Sequence, residues 1–509
     1  MERINKPASS AALKAPFAKT TSAYWCQHKY LERRWLKTRS FTAVKRLYQS
    51  TIEEEQTSML KRLRKLLGPQ TSSEASRIHK DTHPISLYDI SRSARKVIQQ
   101  LKQAGFAAYL VGGGVRDLLL DGNPKDFDVA TDATPEQVNK IFKGSRIIGR
   151  RFRIVHVRFG REIIEVTTFR GHHDEAKKRG DATQSDKGIL LRDNVYGDIK
   201  SDAYRRDFTV NALYYDTEDG AILDFTNAIE DLDKRQLRMI GDPDTRYKED
   251  PVRLLRAIRF SAKLGFTIEQ ATEKPIREHA DYLSEIPPAR RFEEVLKLFL
   301  CGYATAILTK LQDYGLLAYL FPAANDFLNK GTELDKRLLF AVASNTDKRI
   351  RQNKSVTPAF IYAAMLWPPL RAEMARLMEE HKLNEYEAMQ QAAQGVISQQ
   401  LAYTAIPKRF LIPMREIWSL QLRLKRREGR RASMLLEHPR FRAAYDFLLM
   451  REEAGERMDG LGMWWTKFQS VKEEEQNAMV QELNGKNPKR SRKPRRRRKA
   501  DGGESGNSN

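Results

Sequence analysis

The hydrophobic pattern changes near residue 250, and this change limits the fold more than any other feature of the sequence. From Ile85 to about Asp231, short runs rich in Val, Ile, Phe and Tyr alternate with helical patterns. From Asp250 to about Phe468, strand patterns almost vanish and apolar residues recur at helical spacing. The chain is therefore predicted to be α+β, with a mixed-sheet head followed by all-α domains.

Individual elements can be placed on this pattern. Strands are expected at residues 107–111, 126–130, 154–159, 163–169 and 212–216. Helices are expected at residues 87–105, 252–264, 290–301, 304–314, 337–344 and 360–367.

The chain carries a large excess of positive charge. Its 509 residues include 90 Lys and Arg against 66 Asp and Glu, a formal net charge of +24. Charge of this size favours binding to polyanions, so nucleic acid and anionic membrane surfaces are the expected partners. With 40% hydrophobic residues, the chain can also bury the cores of several domains.

Cysteine usage and hydropathy exclude several classes of protein. The two cysteines, Cys26 and Cys301, have no partner at metal-ligand spacing, so neither a zinc site nor a disulfide framework is expected. No run of about 18 apolar residues is present, so no membrane-spanning helix is expected. The N-terminal region has no continuous apolar segment of the secretory type, and the expected location is the cytoplasm.

Two aspartates, Asp126 and Asp128, flank a phenylalanine in a strand-like segment. Because successive strand residues point to opposite faces, both carboxylates are expected on one face and Phe127 in the core. Adjacent carboxylates repel each other, and a bound divalent cation relieves the repulsion. Oxygen ligands favour Mg²⁺ or Mn²⁺, so the pair is the predicted metal site. For an isolated pair of this kind, a solvated surface turn is the alternative.

Three glycines, Gly112, Gly113 and Gly114, follow a predicted strand and precede a helix that contains Arg116. Glycine lets backbone N–H groups approach a phosphate closely, and a helix N-terminus adds partial positive charge. The segment is neither a Walker A loop nor a dinucleotide-binding fingerprint, so those chemistries are not supported. A glycine triplet alone is usually just a turn. Its position shortly before the two aspartates makes the pairing specific.

A third carboxylate would complete a polymerase-type metal site, and two residues could supply it. Glu165 lies between apolar residues of a predicted strand, where an unpaired charge is costly. Asp207 directly follows Arg205 and Arg206. The alternatives are an edge-strand carboxylate facing water for Glu165, and a helix cap or an arginine ion pair for Asp207. The sequence leaves both residues open.

A basic segment, EDPVRLLRAIRF, begins at Glu249. Pro251 suits the first turn of a helix. Asp250, Arg253 and Arg256 are spaced by three and can line one face. A carboxylate beside a guanidinium can bind one nucleobase edge, with Asp250 accepting from an amine and Arg253 donating to a ring nitrogen. An ordinary ion pair within the helix is the alternative, and spacing alone favours it.

Five motifs occur in this order along the chain: GGGVRD, DFD, EIIEVTTFRG, RRDFTVNAL and EDPVRLLRAIRF. Their order and spacing resemble the class II nucleotidyltransferases of the polymerase-β superfamily, which include bacterial poly(A) polymerases and tRNA CCA-adding enzymes. The resemblance runs from about His83 to Phe468 and continues into the basic tail.

The resemblance implies roles for individual residues. Asp126 and Asp128 would be metal-binding catalytic carboxylates, with Asp207 and Glu165 as further acidic residues of the site. The glycine loop and Arg116 would hold the triphosphate of the nucleotide, and Asp250 with Arg253 would select its base. The nucleotide-binding set would be completed by Arg205, Arg206, Asn211 and Arg256.

Several segments resemble the poly(A) polymerases of this superfamily more than its CCA-adding enzymes. Arg153 and Ile154 stand where CCA-adding enzymes tend to have glycine and threonine. LRDNVYG from Leu191, LLEHPRFRAAYD from Leu435 and the arginine-rich tail are also similar to the poly(A) form. The implied activity is template-independent addition of AMP from ATP to RNA 3′ ends, which promotes RNA decay. CCA addition to tRNA and a non-catalytic RNA-binding protein are the alternatives.

Composition and resemblance together divide the chain into five parts. These are a largely disordered basic leader, a catalytic head, a helical nucleotide- and RNA-binding neck, an all-α RNA-binding body and a disordered tail, over residues 1–80, 83–231, 232–300, 301–470 and 484–509. The implied partners are RNA 3′ ends, ATP and RNA-decay proteins.

The two ends of the chain carry separate expectations. Residues 1–58 have no counterpart in the family pattern, so Met59 is a candidate translation start. Met59 begins MLKRLRKLLG, a basic amphipathic segment suited to weak contact with an anionic membrane surface, and a disordered leader is the alternative. Ten Lys or Arg residues lie between Lys486 and Lys499, with no acidic residue among them. The tail is expected to hold RNA phosphates, with solubility or protein docking as the alternative.

Overall fold

The computed structural model describes most of the chain between residues 75 and 486. The described ranges are 75–149, 153–171, 182–184, 190–193 and 195–486. They belong to one of two units into which the chain divides, residues 71–509. Met59 and nearly all of the predicted leader and tail lie outside the described residues.

Most strands belong to one sheet in the head. They are β1 Ser76–Ile78, β2 Ala108–Val111, β3 Asp128–Thr131, β4 Ser145–Ile148, β5 Ile154–Phe159, β6 Glu162–Thr168, β9 Leu213–Tyr215 and β10 Ile222–Asp224. Two short pairs stand apart, β7 Ala182–Gln184 with β8 Leu190–Asp193 and β11 Gln236–Leu237 with β12 Thr267–Ile268. The eight strands follow the order β1-β10-β9-β2-β3-β6-β5-β4, and the sheet is mixed because β3 and β6 run parallel.

Side-chain alternation explains why the central strands are half-buried. In β6, Ile164, Val166 and Thr168 are buried, whereas the intervening Ile163 and Glu165 are exposed. A strand places successive side chains on opposite faces, so one face of β6 packs into the core and the other is open. The open face is where Glu165 lies.

Helices make up most of the remaining described chain. Those of the head and neck are α1 Arg92–Gln103, α2 Gly113–Leu119, α3 Pro135–Ile141, α4 Ile199–Arg205, α5 Ala228–Asp233, α6 Pro243–Glu249, α7 Val252–Leu264, α8 Gln270–Glu278 and α9 Pro288–Phe299. Those of the body are α10 Ala304–Asp313, α11 Pro322–Lys330, α12 Glu333–Arg351, α13 Pro358–Met365, α14 Trp367–Glu380, α15 Glu385–Leu401, α16 Lys408–Leu424, α17 Arg431–Leu436, α18 Phe441–Glu453, α19 Leu461–Ser470 and α20 Glu473–Lys486.

Buried tryptophans tie the body helices together. Trp418 of α16 donates its indole N–H to the Ala363 carbonyl of α13 at 2.9 Å. Trp465 of α19 donates in the same way to the Leu424 carbonyl at 3.0 Å. Both rings are almost fully buried, so each contributes a large apolar surface to the core while its polar atom is hydrogen-bonded. Within the described part of the chain, none of the helices is both long and apolar enough to cross a lipid bilayer.

The predicted α+β class, with a mixed-sheet head before helical domains, is confirmed, and several elements differ in their bounds. The strand predicted at 126–130 begins at Asp128, so the two aspartates are not both strand residues. β2 ends at Val111, the partner of Asp128, and the chain turns at Gly112, so β2 offers Asp126 no pairing partner. Phe127 is buried, as predicted.

Capping residues account for two further differences. The helix predicted at 87–105 is interrupted, because the Ser91 side chain accepts from the Ala94 N–H and starts α1 at Arg92. The helix predicted at 337–344 is longer, because Thr332 and Asp335 form a reciprocal capping box ahead of it.

Three strands of the eight-stranded sheet, β1, β4 and β10, were not predicted. β1 falls within the residues assigned to the leader, yet it pairs with β10 at the edge of the sheet. The described head therefore begins before His83. These strands have only three or four residues, too few for a periodic pattern to stand out.

Candidate active site

The glycine turn lies where β2 runs into α2. Gly112 has a φ of +74°, a left-handed conformation that favours glycine. A Cβ atom at Gly112 would lie 3.3 Å from Arg206 Nη1 and 3.5 Å from the Asn211 carbonyl oxygen. The turn is therefore packed directly against the RRDFTVN segment, and any larger residue would crowd it.

Sheet register brings the predicted carboxylates beside this turn. Asp128 is the antiparallel partner of Val111, the residue before Gly112. On its other side, Asp128 is the parallel partner of Glu165. Asp126 lies two residues ahead of β3 and is exposed.

The pKa of Asp128 is raised by burial and by neighbouring negative charges. Burial, followed by the charges of Glu165 and Asp126, raises the pKa of Asp128 to about 6, and the nearby Arg206 offsets part of this effect. Binding a cation here would relieve the repulsion. All the donors are carboxylate oxygens, which suits Mg²⁺ or Mn²⁺.

The carboxylates fit a metal that is shared with substrate. Among the described residues, no group of three or more His, Cys, Asp or Glu side chains is arranged to hold a metal ion. Magnesium commonly uses only one or two protein carboxylates and takes its remaining ligands from water and substrate phosphates. Asp126 and Asp128, beside the glycine turn, meet that requirement.

The two candidates for a third carboxylate have different surroundings. Glu165 stands beside Asp128 on the open face, about half exposed, with His156 Nε2 3.2 Å from its Oε1 atom. Asp207 instead accepts from Arg256 Nε at 2.5 Å and from Asn211 Nδ2 at 3.1 Å. Burial would raise the pKa of Asp207, but the Arg256 guanidinium and these hydrogen bonds outweigh it and hold the pKa well below the usual range.

Arg116 lies beneath the turn rather than at the surface. Its side chain is only 2% exposed, and its Nε donates to Asp117 Oδ1 at 2.8 Å. Another guanidinium nitrogen donates to Asn211 Oδ1. Since Asn211 also donates to Asp207, these residues form a continuous polar network from α2 to α7. Direct triphosphate binding by Arg116 stays a prediction, and its observed contacts fix the position of Asn211.

Arg205 and Arg206 approach the site from the end of α4. Arg206 donates to Asp202 Oδ2 at 3.0 Å and to the Tyr214 hydroxyl at 3.0 Å. Arg205 Nη1 donates to the Gly171 carbonyl at 2.5 Å. The charge of Arg206 is thus held near both the glycine turn and Asp128.

Asp250 and Arg253 stand at the start of α7, but each bonds to another residue. Arg290 donates to Asp250 Oδ2 at 2.9 Å. Arg253 Nη1 donates to Glu249 Oε2 at 3.0 Å and to the Arg246 carbonyl at 2.7 Å. Base selection by Asp250 and Arg253 stays a prediction.

Two supporting residues, Asp202 and Arg246, were not identified from the sequence. Asp202 is buried and accepts from Arg206 and from the Tyr214 hydroxyl. Arg246 is buried and donates to the carbonyls of Arg205 and Arg206 at 2.7 and 2.6 Å, so it joins the neck to the catalytic segment. The i,i+4 spacing of Asp202 and Arg206 was the one available signal.

A glycine turn at a helix start, carboxylates on adjacent strands of a mixed sheet and a helical extension that contacts Asp207 define a metal-dependent nucleotidyltransferase of the polymerase-β type. Three family models match the chain in agreement with this class. They are described as "Poly A polymerase head domain" over residues 108–238, "Probable RNA and SrmB- binding site of polymerase A" over 265–328, and "Polymerase A arginine-rich C-terminus" over 381–499.

Sequence relatives narrow the class. Poly(A) polymerase I of Salmonella typhimurium is 47% identical over 427 residues, 83% of this chain and 92% of the relative. The CCA-adding enzyme of Lactobacillus helveticus is 41% identical over 215 residues, but this covers 42% of this chain and 51% of the relative. The chain belongs to the poly(A) polymerase I family, and membership implies a nucleotide substrate and a divalent metal.

A solved structure supports the fold. The apo form I of a tRNA-processing enzyme has a TM-score of 0.52 at 22% identity, covering 79% of this chain and 99% of that one. At this level of identity the likeness concerns the fold alone. It extends well beyond the head, so the helical neck and body belong to the same architecture.

Proposed function

We propose that this protein adds AMP from ATP to RNA 3′ ends without a template, and that the tails it makes promote RNA decay. The observation that carries the proposal is the sheet register, which sets Asp128 beside both Glu165 and the last residue before the glycine turn. Family membership points to the same activity.

In the proposed reaction, the RNA 3′-hydroxyl attacks the α-phosphorus of ATP. A P–O bond to the RNA forms, the bond to the pyrophosphate breaks, and the hydroxyl proton is lost. Asp126 and Asp128 would hold Mg²⁺ or Mn²⁺, which, when bound, lowers the pKa of the attacking hydroxyl and stabilises the leaving pyrophosphate. Glu165 increases the negative charge that makes this position attractive to a cation.

Other residues of the site would position the nucleotide. The turn at Gly112 offers backbone N–H groups and the N-terminal end of α2 to phosphate oxygens. Arg206 would add positive charge beside it. Asn211, fixed by Arg116 and Asp207, would be presented to the sugar and phosphates in one orientation.

Base selection is assigned to Asp250 and Arg253 at the start of α7. Both are largely buried in a network with Glu249 and Arg290, so a base that fails to match their donors and acceptors leaves polar groups unpaired. The network therefore favours strong discrimination against the wrong base. RNA would follow the neck and body, in keeping with the RNA-binding description of the family model matched at 265–328.

An incorporation assay tests the proposal. Purified protein is given each of the four labelled nucleotides in turn, with an oligo(A) primer or a tRNA lacking its terminal CCA. We expect long AMP tails on oligo(A) and little use of CTP, GTP or UTP. Efficient addition of CMP to the tRNA would instead identify a CCA-adding enzyme. If no nucleotide were incorporated, the remaining interpretation would be a non-catalytic RNA-binding protein.

A further inference from the structure

A cleft lies in the body, on helices that carry none of the proposed active-site residues. Its volume is about 380 Å³, within the range of ligand-binding pockets. It opens between the C-terminal turns of α12 and the N-terminal ends of α13, α16 and α18. It also lies outside the segment at residues 265–328 that matches the RNA-binding family model.

Helix N-termini converge on this cleft. α16 begins after Pro407 and α18 begins after Arg440, and neither start has a side-chain cap. α13 starts after Thr357, whose hydroxyl accepts from the Phe360 N–H at 3.3 Å. The first N–H groups of a helix lack partners within it and carry partial positive charge, so the starts of α16 and α18, which have no side-chain cap, favour an anion.

Side chains give the cleft the same sign of charge. Four arginines, Arg349, Arg409, Arg440 and Arg442, line it against a single acidic residue, Asp446. Arg349 and Arg442 both contact the Asp446 carboxylate, at 3.3 and 3.0 Å, so this carboxylate is already more than balanced.

The other two arginines are better placed to meet a ligand. Arg409 is exposed and its guanidinium lies 4.9 Å from the centre of the Phe410 ring. Arg440 contacts Glu416 at 3.2 Å, but this pair is solvent-exposed, and such pairs contribute little stability. Both arginines can turn toward an anion without disturbing the core.

Helix packing separates the cleft from the catalytic head. α7, which carries Arg253 and Arg256, packs on α10, α10 packs on α12, and α12 packs on α13 and α18. Each packing step separates helix axes by about 8–10 Å. The cleft and the proposed nucleotide site therefore lie on different helices, and an RNA of several nucleotides could contact both.

We propose that this cleft binds phosphodiester groups of the RNA upstream of the 3′ end that is being extended. The inference rests on the proposed function, since it takes the ligand to be the primer RNA. Guanidinium groups bind phosphate oxygens through paired N–H donors, and contacts of this kind hold the backbone without reading its sequence. The cleft would act as a distant anchor that retains long RNA between additions.

The test is a double variant, Arg409→Gln with Arg440→Gln, compared with a control that removes equal charge. The control is Arg376→Gln with Arg431→Gln, two exposed body arginines paired with acidic residues three or four positions away. Binding of fluorescent oligo(A) is measured across a salt series for two RNA lengths, about 4 and about 16 nucleotides. These lengths are the lower and upper ends of the usual range of single-strand binding-site sizes.

For the longer RNA, we expect the double variant to bind about tenfold more weakly. The slope of log affinity against log salt concentration should also be flatter by about 1.4, because each of the two lost phosphate contacts contributes about 0.7. Binding of the short RNA, and the rate of AMP addition at a saturating short primer, stay at the wild-type level. The control keeps wild-type affinity for both lengths.

Three outcomes overturn the cleft as an RNA anchor. These are wild-type binding of long RNA by the double variant, an equal loss in the control, or an equal loss for short and long RNA. The first of these would direct attention to an acidic protein segment as the ligand. Failure of the wild-type protein to add AMP would instead contradict the proposed function, while the binding comparison would still decide the role of the cleft.

Discussion

At Asp128, burial and two neighbouring carboxylates act in the same direction. Burial, together with the charges of Glu165 and Asp126, raises the pKa of Asp128 to about 6. A side chain kept in such an environment destabilises the fold, and groups of this kind cluster at functional sites. Its surroundings therefore support a role in binding a cation.

Removing either aspartate of the predicted metal site should abolish AMP addition. We expect Asp126→Ala and Asp128→Ala to lose at least about 1000-fold in rate, as loss of a main electrostatic contact to the reacting groups would cause. RNA binding should persist, because the body and tail are untouched. The matched control is Asp132→Ala, an exposed aspartate just beyond β3. Near-normal activity of either variant in the labelled-ATP assay would remove the pair from the mechanism.

The ion pair of Asp207 and Arg256 should make stability depend on pH. Because the pKa of Asp207 is lowered in the folded state, its charge stabilises the fold at neutral pH, and this contribution is lost as the pH falls below about 4. Asp207→Asn should therefore lower the free energy of unfolding by about 1–3 kcal/mol at pH 7. Urea titrations from pH 7 downward should show the difference from wild type narrowing in acid. A difference that is constant with pH would mean that the pair does not stabilise the fold.

At the scale of an element, the β2–α2 turn combines a left-handed glycine with a close neighbour. Gly112→Ala should raise the KM for ATP about tenfold or more, because the added methyl group presses on the Arg206 guanidinium beside the phosphate position. Strain at a positive φ should also cost about 1–2 kcal/mol of stability.

Gly160 separates the backbone effect from the contact effect. It also has a positive φ, +60°, but no atom lies within 4 Å of the position its Cβ would take. Gly160→Ala should lose a similar amount of stability and keep the wild-type KM for ATP. If both variants had the same KM, the turn would have no special role in nucleotide binding.

Another element-scale feature is the joint between the neck and the catalytic segment. Arg246 on α6 donates to two successive carbonyls, those of Arg205 and Arg206, and also to Glu249. One buried side chain thus fixes the backbone that precedes Asp207. This explains how α7, although outside the head sheet, is held close enough for Arg256 to reach Asp207.

At the scale of the whole molecule, the basic tail is predicted to tether RNA. The tail has ten Lys or Arg residues between Lys486 and Lys499. Their contacts with RNA phosphates would release counterions, and each contact would add roughly −0.7 to the slope of log affinity against log salt concentration. If about five of these residues contact phosphates, deletion of the chain after Asn484 should flatten that slope for oligo(A) by about 3–4. AMP addition at saturating primer should change little. Parallel slopes and equal affinities would show that the tail has a different partner.

Much of the architecture could be predicted from the sequence because it depends on local pattern. The helix over 252–264 and the strand over 154–159 follow from apolar periodicity, and the turn at Gly112 follows from the need for glycine. The sequence also predicted that the carboxylates of Asp126 and Asp128 would be oxygen ligands of a divalent cation. That prediction did not require the positions of these residues in the fold. Such features rest on residues only a few positions apart, whose contacts the backbone geometry already fixes.

Only the tertiary structure decided which distant residues contact each other. The sequence left both Glu165 and Asp207 as candidates for the third carboxylate. In the structure, the parallel pairing of β3 with β6 sets Glu165 beside Asp128. Packing of α7 brings Arg256 into a hydrogen bond with Asp207, 49 residues away in the sequence. Likewise, the arginines of the body cleft lie near the C-terminal end of α12 and the N-terminal ends of α16 and α18, which meet only after packing. Strand register and helix packing depend on how whole faces fit together, so no local pattern contains them.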